Sequence, residues 1–192
     1  MLLAGCAEPP KKDAPKEPPK PAAPVSGRQA FQYVYPAART WAPDAQPIQG
    51  RNLNLPEPKS EKGRCAAWEF TFASAAKGRT KSWTYSVVEA EGNLHKGTFA
   101  GPEAGFAGSI GQARPFSTFA LKIDTDEALE TATKASAEEL KKVGDKQVLF
   151  LLEYTPRFPN PAWRVMWGES LATSEYSVFV DAVTGQMLQK VK

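Results

Sequence analysis

Two hydrophobic rhythms alternate along this chain. Ala30, Val34, Ala37 and Trp41 recur at spacings of four, three and four, the stripe of an amphipathic helix. Ser26 stands ahead of it with Gln29 three positions on, a capping-box arrangement that satisfies free N–H groups at a helix start. Pro36 lies inside the stripe and predicts a kink or an early stop. A second stripe runs through Leu129, Ala132, Ser136, Leu140 and Val143. Asp124 and Glu127 repeat the cap spacing before it, and Gly144 is a natural stop after it.

Between and after these stripes the period changes to two. Trp68, Phe70 and Phe72 share one face of a strand, as do Trp163, Val165 and Trp167. Each run is followed by a turn and then by a matching pair, Tyr85-Ser86-Val87-Val88 and Tyr176-Ser177-Val178-Phe179. Glu91-Gly92-Asn93 and Val183-Thr184-Gly185 then close hairpins onto a last strand. Residues 46–55 and 147–154 read as the leading strands of the two sets.

These matches predict an internal repeat and an α+β fold. The expectation is two tandem units, each a helix packed on an antiparallel sheet of about four strands. The boundaries read as 26–110 for the first unit, ending in a glycine-rich connection from Gly101 to Gly111, and 111–192 for the second. Val148-Leu149-Phe150-Leu151-Leu152 is apolar on both faces, so it predicts a strand covered on both sides, by the first unit or by a partner.

Composition changes the picture at the start of the chain. Seven of the 17 prolines fall between Pro9 and Pro24, among lysines and small residues, and no aromatic precedes Phe31. Such a stretch buries too little apolar surface to offset its ordering entropy. Residues 7–25 therefore read as a disordered, semi-rigid tether with polyproline II character. Ahead of it stands Met1-Leu2-Leu3-Ala4-Gly5-Cys6. Leu3-Ala4-Gly5-Cys6 resembles the lipobox of bacterial lipoproteins, in which the cysteine becomes the lipidated N-terminus. The resemblance makes residues 1–6 the remnant of a lipoprotein signal and Cys6 the lipidation site. A basic n-region and a full apolar h-region do not precede it, so the start is expected to be truncated or to lie upstream. Ala7 after the cysteine goes with outer-membrane sorting in Gram-negative lipoproteins. The implied location is the cell envelope, on the periplasmic side, with the membrane as a partner through lipid on Cys6.

At Tyr176-Ser177-Val178-Phe179-Val180-Asp181-Ala182-Val183-Thr184-Gly185 the chain resembles the end of a PepSY domain, where a strand runs into Asp-Ala-x-Thr-Gly and turns into a final strand. The likeness extends over residues 124–192 and, in degenerate form, over 26–110. It implies a small extracytoplasmic module without catalysis, one that binds or restrains a peptidase. Asp181, Thr184 and Gly185 are read as structural: Asp and Thr cap the turn and Gly185 supplies a positive φ.

Charge and scarce residue types narrow the chemistry. A net charge of +3 argues against a nucleic-acid partner, which calls for a concentrated basic face. The single histidine, His95, has no His or Cys cluster around it, so no metal site, cofactor or catalytic residue is expected. Cys65 opens an apolar run and reads as buried and inert. Gly101–Gly111 lacks the Gly-Lys-Ser/Thr ending of a phosphate loop. Trp83, Trp163 and Trp167 are read either as core or as a binding surface. The expected function is a non-enzymatic, lipid-anchored envelope protein that binds a protein or peptide, with open sheet edges as a docking mode. A carrier of a small apolar ligand is the alternative, and it needs a closed apolar cavity.

Overall fold

The computed structural model describes residues 22–170 and 172–192. Its helices are α1 (Gly27–Trp41), α2 (Thr125–Ala135) and α3 (Ala137–Val143). Its strands are β1 (Gln46–Leu53), β2 (Ala67–Ser74), β3 (Arg79–Ser86), β4 (Gly97–Gly105), β5 (Val148–Glu153), β6 (Ala162–Trp167), β7 (Tyr176–Asp181) and β8 (Met187–Val191). All eight strands form one antiparallel sheet in the order β4-β3-β2-β1-β5-β6-β7-β8.

Two tandem helix-on-four-strand units are therefore not what the chain makes. β1 and β5 pair through Gln49–Glu153, Gly50–Leu152 and Arg51–Leu151, which joins everything into a single sheet. The reason is visible in β5. Separate sheets would leave this strand, apolar on both faces, as an exposed edge that invites aggregation. Pairing with β1 removes that edge. Phe150 and Leu152 turn toward the helices and join the main core. Leu149 and Leu151 pack with Met166 in a smaller buried cluster on the opposite face.

One hydrophobic core runs beneath all the helices. α1 packs on β1 to β4 and α2 on β6, β7 and β8. At the centre Trp68 and Trp163 meet edge to face, with ring centroids 6.2 Å apart, and both touch Phe150. Gly50 matters here: a Cβ on it would come within 2.5 Å of the Phe70 ring.

Local differences from the periodic reading have local causes. α1 continues through Pro36 to Trp41, and Thr40 Oγ1 donates to the Pro36 carbonyl at 3.0 Å. The second stripe breaks into α2 and α3 at Ser136, whose buried Oγ accepts a hydrogen bond from Tyr176 Oη at 3.0 Å. The glycine-rich stretch is partly strand, since Gly101 to Gly105 complete β4. Val25, grouped with the tether by composition, is buried and bridges Cys65 in both backbone directions.

Candidate functional site

Four regions bear on function: the junction of the two long helices, the Asp181 turn, a cleft at the β1–β5 seam, and the outer edges of the sheet.

The N-termini of α1 and α2 meet, and one carboxylate serves both. Asp124 Oδ1 accepts from Thr125 N at 2.7 Å and from Arg28 N at 2.9 Å, while Oδ2 accepts from Ser26 Oγ at 2.6 Å. Thr125 Oγ1 accepts from Gly27 N at 2.9 Å and donates to the Gly63 carbonyl at 2.6 Å. A negative charge between two helix N-termini is stabilised by both dipoles. The two central tryptophans complete the junction. Trp68 Nε1 donates to Val25 O at 3.0 Å and Trp163 Nε1 to Ile123 O at 2.9 Å, in each case the carbonyl just ahead of a helix cap. Gly27 fits only because it has no side chain; a Cβ would lie 2.8 Å from both Thr125 and Trp163. The cap spacing was legible in sequence, but Asp124 turns to Arg28 of the other helix, which no local pattern signals.

Trp83, Trp163 and Trp167 all lie in the core, at 3%, 0% and 5% exposure. They offer no face to a partner, so the binding-surface reading of these three is corrected to packing. Trp163, Val165 and Trp167 alternate along β6 and, with Trp83, Phe72 and Val178 from other strands, belong to one buried sheet face.

The Asp181 turn closes as its residues imply. Asp181 Oδ1 accepts from Val183 N at 2.8 Å and Thr184 N at 2.9 Å, and Oδ2 accepts from Asn160 Nδ2 at 3.0 Å. Gly185 sits at φ +76° and donates its N–H to the Asp181 carbonyl. Burial raises the Asp181 carboxyl, but the bonds from Asn160, Val183 and Thr184 outweigh it and leave the group below its ordinary value. A carboxyl depressed in the folded state adds stability above its unfolded pKa, and that stability is lost as pH falls through the folded value. Asp181→Asn keeps the Oδ1 acceptor and loses the charge. It should lower the melting temperature at pH 7 and narrow the gap from wild type below about pH 4. A gap unchanged between pH 7 and pH 3 would contradict this origin.

The third region is an open cleft of about 620 Å³ where β1 and β5 diverge beyond Arg51. Leu55, Leu129, Val148 and Phe150 give it an apolar floor, and Lys59, Glu61, Lys62, Asp145 and Lys146 stand at its mouth. At its start Asn52 Oδ1 replaces a ladder acceptor, taking the Phe150 N–H at 2.7 Å, while its Nδ2 is buried without a partner.

His95 is half-buried just ahead of β4. Its Nε2 lies 3.1 Å from Asn93 Oδ1, its Nδ1 3.3 Å from Glu89 Oε2, and its ring packs on Phe99. Cys65 is fully buried, and burial pushes its thiol up to about 11, against a weaker opposing bond from Ser60; it stays protonated and unreactive at neutral pH. Among the described residues no group of three or more His, Cys, Asp or Glu is placed to hold a metal ion, and no helix is long and apolar enough to cross a membrane. Cys6 lies outside the described residues.

The sheet ends in β4 on one side and β8 on the other. β4 carries Pro102 and three glycines, Gly97, Gly101 and Gly105, and its register shifts opposite Lys81–Trp83. These features blunt a sheet edge. β8, Met187-Leu188-Gln189-Lys190-Val191, carries no proline or glycine, and its pairing with β7 shifts register once, between Phe179–Gln189 and Val180–Met187. On the helix-free face beside β8, Arg157 and Arg164 flank Phe179, their guanidinium carbons 4.7 Å and 5.7 Å from the ring centroid. Sequence reading passed over this pair, because Arg157 lies in the β5–β6 loop and only the fold brings it to Phe179.

No family model matches the chain, and no curated protein matches it in sequence. Among solved structures it is similar to a candidate lipoprotein from Clostridium difficile 630, with a TM-score of 0.52 and 11% identity over 84% of this chain and 91% of that one. At that identity the likeness is one of fold.

Proposed function

We propose that the chain is a lipid-anchored protein of the bacterial cell envelope whose folded part binds a protein or peptide and carries out no catalysis. The observation that carries this reading is the order of its parts. Leu3-Ala4-Gly5-Cys6 is followed by a proline- and lysine-rich stretch and then by the folded sheet, the arrangement of a lipobox, a spacer and a domain held off a membrane. The shared fold with a candidate lipoprotein supports it. So do the filled aromatic core and the open, mixed cleft, which suit a binding module better than a carrier enclosing an apolar ligand. Under this reading the PepSY-like ending at Asp181–Gly185 points to a peptidase or another extended chain as the partner, and the envelope location is the outer membrane on the periplasmic side.

The anchor is tested by fractionation. Expressed with a complete export signal, the wild-type chain should stay with membranes through a high-salt wash. Cys6→Ala should appear in the soluble fraction, with the folded domain intact by circular dichroism. Equal membrane retention of the two would contradict the anchor, since several acyl chains are what make such attachment stable. The binding role is tested by in-cell crosslinking. A partner protein should be captured by the full chain and lost when only the anchor and spacer remain.

A further inference from the structure

We propose that β8 is the docking edge, and that its occupant is an extended acidic peptide segment added antiparallel or parallel to Met187–Val191. This rests on the binding-module reading and names the surface and the chemistry it uses.

Three observations converge on β8. Among the described residues it is a terminal strand of the sheet, paired on one side with β7 alone. The opposite terminal strand, β4, carries a proline and three glycines that discourage strand addition; each edge has one register shift, but β8 carries neither residue type, so the two edges are not equivalent. Finally, the charge beside β8 is positive. Arg157 Nε donates to Gln189 Oε1 at 2.9 Å, which places a guanidinium directly over β8 on the helix-free face.

Arg164 reinforces that field from two strands further in. Its Nη2 donates to Ser177 Oγ at 3.0 Å, and Nε reaches the same oxygen at 3.2 Å. Both arginines thus take neutral oxygen partners among the described residues. Glu153, which Gln49 Nε2 holds at 2.6 Å, offsets part of the field of Arg164, so Arg157 is the arginine of the pair without an acidic partner among the described residues. On the helix side of the edge Lys190 is neutralised by Glu139 at 3.1 Å, while Lys192 follows the strand. The unbalanced charge therefore sits on the helix-free face, at Gln189 and its neighbours.

Strand spacing fixes what that charge meets. A strand added to β8 would lie about 4.8 Å beyond it. Its residue opposite Gln189 would project to the helix-free face, within reach of the Arg157 guanidinium, which binds carboxylates as a planar fork. Backbone ladder bonds would supply affinity and the arginine the preference for an acidic side chain.

The test uses the full chain and two capped seven-residue peptides, one alternating valine and threonine with glutamate, the other with lysine in place of glutamate. In backbone-amide NMR titrations the acidic peptide should shift the resonances of Met187 to Val191. The lysine peptide should bind about tenfold more weakly or worse. Arg157→Ala, an exposed change that leaves the melting temperature in place, should weaken the acidic peptide by about tenfold and flatten its salt dependence. Shifts confined to β4 or to the cleft, equal binding of both peptides, or an unaffected Arg157→Ala variant would overturn the proposal. A partner crosslinked in cells to another surface would sink the edge assignment and leave the binding role standing; the absence of any partner would remove both.

Discussion

Replacing Trp163 with alanine is expected to cost about 3–5 kcal/mol of folding stability. The side chain is fully buried and packs against both Trp68 and Phe150. Its indole N–H is the partner of the Ile123 carbonyl, which the alanine variant leaves without this donor in the interior. The α1 N-terminus also rests on it, since Gly27 approaches the indole edge too closely to carry a Cβ. Domains of this size are stable by about 5–15 kcal/mol, so the loss takes a large share of the whole. Trp163→Phe should recover part of it through volume and none of the hydrogen bond. Urea denaturation of the two variants checks this. A midpoint for Trp163→Ala within error of wild type would contradict the packing described.

The second large effect is expected at Asp124. Asp124→Ala removes one acceptor from Thr125 N, Arg28 N and Ser26 Oγ together; it takes the cap from α2 and one backbone partner from the first turn of α1, where Ser26 Oγ still accepts from Gln29 N. A single lost cap costs about 1 kcal/mol and a stranded, partly buried donor adds to it, which puts the total at about 2–3 kcal/mol. Asp124→Asn keeps Oδ1 for both backbone donors and should restore most of the stability. If asparagine is as damaging as alanine, charge at the two N-termini carries the effect and the hydrogen-bond geometry does not. If alanine is harmless, the shared cap is wrong. Because the carboxylate joins an element before β1 to one after β4, the loss should appear as a lower midpoint of one transition.

What was legible in the sequence follows from how far each signal reaches. Period two in Trp68-Glu69-Phe70-Thr71-Phe72 and Trp163-Arg164-Val165-Met166-Trp167 correctly marks strands with a core face, because alternation is local. The Ser26 and Asp124 caps and the Asp181–Gly185 turn are also local, and they form where the residues place them. The assembly of the strands is not local. The doubly apolar run from Val148 to Leu152 announces that β5 must be covered on both faces, yet nothing in it names β1 as the neighbour. That one pairing turns two expected units into a single sheet. The same limit explains the tryptophans. For Trp83, Trp163 and Trp167 core spacing makes packing the default reading, but a groove stays open as the alternative until the helices are placed over them. It also explains the arginines, since Arg157 and Arg164 share Phe179 only after the β5–β6 loop folds back across β7. At the break between α2 and α3, Ser136 meets Tyr176, which lies 40 residues away, and no local pattern signals that contact.

Function rests on the ends of this structure more than on its middle. Among the described residues the central strands bury their tryptophans, while the seam cleft and the β8 edge stay open. The measurement that bears most directly on the central claim is the intact mass of the mature protein purified from the envelope of its native host. A chain beginning at Cys6 and carrying a glyceryl thioether with acyl groups is the predicted result. A mature chain in which Cys6 is present as a free, unmodified thiol would contradict it.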